Sequence, residues 1–146
     1  MKVIKIPYDL SNPCTIHDIP NRVDDSIEAS GRVLDDIKKL IDIDMAEIVY
    51  LSTVVNKDDP HRDYCLIVDE VGKCKDGWEE RINIRASLFY PGTAHGDPIV
   101  GDVAFCAREW TDSFGECDLT GLLKGEIIGF IAKIASFYSG QVDYES

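Results

Sequence analysis

"HGDPIVGDVAFCAREW", His95 to Trp110, places Gly96 and Gly101 ahead of an apolar run. Glycines so spaced either cradle a phosphate or turn the backbone into a strand. A phosphate loop needs Gly-x-x-x-x-Gly followed by Lys and Ser or Thr, because the lysine neutralises the phosphates and the hydroxyl holds magnesium. Here Asp102 and Val103 follow Gly101, so the charge has the wrong sign. The run behind also reads as strand, whereas a phosphate loop enters a helix. The stretch is therefore a turn at Gly96, Asp97 and Pro98 that launches a core strand. Asp97, before Pro98 and beside Gly96, is expected to bond backbone groups and build that turn. Ile99, Val103 and Phe105 then share one face, with Gly101 as a flexure or close-approach point.

Working outward, "AEIVYLSTVV" (46–55) and "DYCLIVDE" (63–70) are strand-like and separated by a polar loop with Pro60, a hairpin pattern. "KVIKIPY" puts Ile4, Ile6 and Tyr8 on one face of a short strand, and a loop is expected after the Asn12-Pro13 turn. Val23, Ile27, Val33, Leu34, Ile37, Leu40 and Ile41 recur at helical spacing behind Asn21 as a candidate N-cap. "EERINIRASLFY" fits a short helix or a strand and is taken as helix. "TDSFGECD" reads as a turn-rich connector. A last helix is expected over about 119–139, with Asp118 or Thr120 as N-cap and Gly140 as C-cap. Its glycines Gly121, Gly125 and Gly129 recur every fourth residue, which predicts close packing on the sheet through that face or a dimer interface. The sum is an α+β fold: one domain over 1–146 with a small, mainly antiparallel sheet packed against two main helices.

The chain of 146 residues carries 27 acidic and 15 basic residues, a net charge of -12. Binding a nucleic-acid backbone needs clustered Lys and Arg, so direct nucleic-acid binding is not expected. Lys124, Glu126 and Lys133 make the last helix a poor membrane span. Five cysteines without a C-x-x-C pair, and an opening "MKVIKIPYDL" without a secretory pattern, predict free thiols and a cytoplasmic location. Scattered His17, His61 and His95 offer no zinc knuckle, and no cofactor is implied. Cys65 and Cys106 read as small buried hydrophobes. No motif marks a Ser, Cys or carboxylate catalytic centre.

Two sets of residues remain as candidates. A small-ligand or nucleotide-derivative pocket would draw on Asn83, Arg85, Tyr90, His95 and Asp102, with arginine supplying anion contacts. A partner interface would draw on Trp78 and Trp110, each flanked by charges, and on the broad apolar stripe of Ile127, Phe130 and Ile134, which also suits a homodimer.

From Glu47 to about Gly121 the order of segments resembles the domain-of-unknown-function 3846 family, small proteins of Gram-positive bacteria, their phages and mobile elements. The resemblance is carried by Asp69-Glu70-Val71-Gly72-Lys73, by Asn83 to Ala86, and by Gly96 to Asp102. It implies a phage or mobile-element setting and supplies no catalytic residue. The expectation is a non-enzymatic, acidic accessory protein that binds a host protein. A small-ligand binder is the first alternative, and a small cytoplasmic enzyme with a Cys or carboxylate centre the second.

Overall fold

Apolar side chains point to both sides of the two central strands, and this dictates a layered architecture. The computed structural model describes residues 1–20, 27–51, 62–90, 96–110, 117–136 and 142–144. In chain order the elements are β1 (Lys2–Ile6), β2 (Cys14–Asp18), α1 (Ile27–Ile41), β3 (Ala46–Leu51), β4 (Arg62–Asp69), α2 (Ile84–Ser87), β5 (Val103–Trp110), β6 (Cys117–Thr120), α3 (Lys124–Ala135) and β7 (Val142–Tyr144). The strands form one sheet in the order β3-β4-β5-β1-β2-β7. All these neighbours run antiparallel except β2 and β7. β5 is the hub. One edge pairs with β4 from Ile67–Ala104 to Arg62–Glu109. Its other edge is shared, β1 taking Val103 to Phe105 and β6 taking Ala107 to Trp110.

β4 buries Tyr64 through Val68 without alternation, as a strand covered on both faces must. On one face, Val33, Ile37 and Ile41 of α1 pack on Val3, Cys65, Ile67, Ala104 and Cys106. On the other, α2 and α3 cover Ile4, Ile6, Tyr64, Leu66 and Phe105. Phe89 and Phe130 stack there with centroids 5.0 Å apart, and Phe105 lies 5.3 and 5.0 Å from them. Such ring pairs contribute about 0.5–1.5 kcal/mol each beyond burial of their area. The α+β class and the mainly antiparallel sheet with two long helices are as the sequence predicts.

Several local expectations are corrected. Cys14 to Asp18, expected as loop, is β2, with Cys14 and Ile16 buried and Thr15 and His17 half-buried. The last two residues of the expected connector, Cys117 and Asp118, begin β6, and α3 starts at Lys124 behind Leu123, not behind Asp118 or Thr120. The expected helix at 79–90 reduces to a 3-10 turn, Trp78–Arg81, and the four-residue α2. Asn21 and Gly140 lie outside the described residues. Gly101 has φ 81° and its backbone N–H donates to the Arg81 carbonyl at 2.7 Å, so β5 begins only at Val103. An added Cβ there would meet nothing within 4 Å, so Gly101 is present for its left-handed backbone and not for close approach. Gly125 is exposed and open as well, so it does not pack on the sheet, whereas Gly121, ahead of α3, lies closely against Met1 and Lys2.

Candidate functional site at the β3 edge

The described surface has a shallow cleft of about 110 Å³ where β3 and β4 meet the segments around Tyr90 and Asp97. Val49 and Val68 reach it from neighbouring strands, and Ile99 closes its floor. The sequence builds this corner locally. Asp69, at the end of β4, accepts from Val71 N at 3.1 Å and pairs with Lys75 at 2.6 Å, which bends the chain into a 3-10 turn at Gly72–Cys74. Lys73 on that turn is ion-paired with Asp97, which also accepts from Tyr90 Oη at 3.0 Å. Hydrogen bonds from Lys73 and Tyr90 hold the Asp97 carboxyl below its usual value, and the Asp97 bond pushes the Tyr90 hydroxyl up. Glu47 and Glu70 complete the rim and are exposed.

Both groups with shifted pKa values move toward the form they already hold at neutral pH, an anionic Asp97 and a protonated Tyr90. A general acid or base needs the opposite displacement, toward the working pH. The cleft is also small beside the roughly 300–1,000 Å³ of typical small-molecule sites. Among the described residues, no group of three or more His, Cys, Asp or Glu is placed to hold a metal ion.

The structure does not gather the expected ligand set. Asn83 is fully buried and N-caps α2: its Oδ1 accepts from Ala86 N at 3.0 Å, and its Nδ2 donates to the carbonyls of Ile6 and Gly101 at 2.8 and 2.9 Å. Arg85 is also fully buried and donates to the carbonyls of Pro7 and Asp9 at 2.7 and 3.0 Å. Asp102 accepts from Tyr8 N at 3.0 Å, at the end of β1. These three hold the β1–β5–α2 corner together; only Tyr90 of the set lines the cleft, and His95 lies outside the described residues. The expected interface set is divided too. Ile127, Phe130 and Ile134 are 7%, 0% and 0% exposed and belong to the core beneath α3, so they are not available to a partner. Trp78 is half-buried in its turn, and Trp110 ends β5.

Sequence reasoning missed the buried charges. Glu126 projects inward from α3 and accepts from Arg62 Nε at 3.2 Å, Arg62 Nη2 at 2.7 Å and Leu123 N at 2.7 Å, with Tyr64 Oη as a further donor. A Glu three residues into a helix is a recognisable capping signal, and it becomes one here only with the helix start at Lys124 rather than at the expected Leu119. The outer side of α3 consequently lacks its acid. Leu123 and Ile128 are 54% and 55% exposed there, beside exposed Gly125, Ala132 and Ala135.

No family model, curated protein or solved structure matches the chain. Fold and surface alone therefore define the class, a small α+β protein with helices on both sides of a mainly antiparallel sheet. No described helix is long and apolar enough to cross a membrane.

Proposed function

We propose that this chain is a non-enzymatic, acidic binding protein that acts by docking on another protein through the outer face of α3. One observation carries the reading: Leu123 and Ile128 stand more than half exposed on a face they share with Gly125, Ala132, Ala135 and exposed Lys124. Exposed apolar side chains grouped on one helix face mark an interaction surface, and the sheet covers only the opposite side of α3. The resemblance to a phage and mobile-element family supports a host protein as the partner.

A photo-crosslinking residue at Ala132, with one at exposed Glu79 as control, tests this in cells. The expected result is a discrete protein adduct from position 132 and none from 79, lost when Ile128→Asp is added. Equal labelling from both positions, or none from 132, removes the reading. An adduct of twice the chain's mass reassigns the face to a homodimer.

A further inference from the structure

We propose that the free edge of β3 takes up an extended segment of a partner protein, one that alternates basic and apolar residues, as an added strand. The inference deepens the reading as a protein-binding module but uses a different surface, so the two fail separately. Among the described residues β3 pairs only with β4, from Ala46–Asp69 to Leu51–Tyr64. The direction of its free backbone groups follows from one bond. Glu70 N donates to the Met45 carbonyl at 2.9 Å, which makes Met45–Glu70 a hydrogen-bonded pair, and such pairs alternate along an antiparallel ladder. Glu47, Val49 and Leu51 therefore bond inward to β4. The N–H and C=O groups of Ala46, Ile48 and Tyr50 point away from the sheet.

Natural edge strands are usually protected by lysines, prolines, bulges or inward charges. β3 reads "AEIVYL" and has none of these beyond Glu47. Its side chains instead define what would fit. On the α2/α3 face, an added strand would run beside Glu47 and the cleft. There, among the described residues, the carboxylates of Glu47, Asp69, Glu70 and Asp97 are accompanied by the ammonium groups of Lys73 and Lys75, a local excess of two negative charges. On the α1 face it would run beside half-buried Ile48 and Tyr50, which is 58% exposed and lies under the Arg108 guanidinium at 3.8 Å. Lysine or arginine on the first face and aliphatic residues on the second complement both. Main-chain bonds then give affinity and the alternate side chains give selectivity. Small cleft volume is no obstacle, because lysine stems lie along apolar surface with the charge at the rim.

The probe is a blocked heptapeptide, Lys-Val-Lys-Val-Lys-Val-Lys, titrated into the full chain with amide exchange read residue by residue. In the free protein the Ile48 and Tyr50 amides are expected to exchange fast. Saturating peptide should slow both while leaving Val49 unchanged. Glu47→Lys should weaken binding by about tenfold or more without changing thermal stability, and binding should weaken with added salt. The Glu-Val counterpart and a peptide N-methylated on its edge-facing amides should not bind. Ile48 and Tyr50 amides already slow in the free chain, protection at other residues, or unchanged affinity in Glu47→Lys would each overturn the proposal.

Discussion

Arg62 at the start of β4 grips Glu126 of α3 through two nitrogens, and both side chains are under one-tenth exposed. The pair pins the first turn of the helix to the centre of the sheet, and Arg62 also donates to the Gly121 carbonyl at 3.0 Å just before that helix. Removing one member leaves the other charged and buried. We expect Glu126→Ala and Arg62→Ala each to cost about 3–5 kcal/mol in urea unfolding. The double variant Arg62→Met/Glu126→Leu should cost less than either, because no charge is stranded. A double variant at the sum of the single losses would show that the pair contributes no coupled interaction.

Glu126 also sets an acid limb to stability. Burial pushes its carboxyl up, but hydrogen bonds from Arg62, Tyr64 and Leu123 N outweigh burial and hold it below the ordinary value of 4.5. Below that value the unfolded chain binds a proton that the folded one refuses, so stability is complete above it and falls as pH drops through the folded value. Unfolding titrations between neutral and acid pH should show this loss in the native chain and a flatter profile in Glu126→Gln. Parallel profiles would contradict the assignment.

Asn83 offers an isosteric test of the corner it holds. Its amide donates to two carbonyls, and Asn83→Asp would aim a buried carboxylate at both. The expected loss is about 3 kcal/mol or more, larger than for Asn83→Ala. Retained stability in Asn83→Asp would mean the amide is not the donor there.

Two glycines resist substitution for different reasons. A Cβ on Gly121 would lie 2.9 Å from Met1 Cβ and 3.0 Å from Lys2 N, so Gly121→Ala must move backbone, at about 1–3 kcal/mol. Gly101→Ala has open space and only its φ of 81° against it, about 1–2 kcal/mol. Gly101→Asn should recover part of the second loss and Gly121→Asn none of the first, read as thermal midpoints.

Thiol chemistry should divide the cysteines by burial. Burial, with Cys65 beside it, pushes the Cys106 thiol well up, and burial also raises Cys14, whereas Cys74 is exposed. Thiolates are the reactive species. Native protein treated with a thiol reagent should modify Cys74 before Cys14, Cys65 or Cys106, as read by peptide mass. Early labelling of Cys106 would place it outside the core.

The sequence by itself determined the elements whose periodicity is long or dense. The apolar spacing from Val33 to Ile41 declared α1, the run at 63–70 declared a strand of a hairpin, and Asp102 in place of a lysine removed the phosphate loop. Five-residue β1 was legible from Ile4 and Ile6, but β2, β6 and β7 were not, because they alternate over too few positions to separate from loop. The roles of polar residues belonged wholly to the tertiary structure. Asn83, Arg85 and Glu126 carry the residue types of a binding site, yet the fold turns them inward onto backbone carbonyls and a paired arginine. A sequence lists donors and acceptors without their partners; only packing decides which must be satisfied inside and which stay on the surface. The same packing left the β3 edge and the outer side of α3 facing outward.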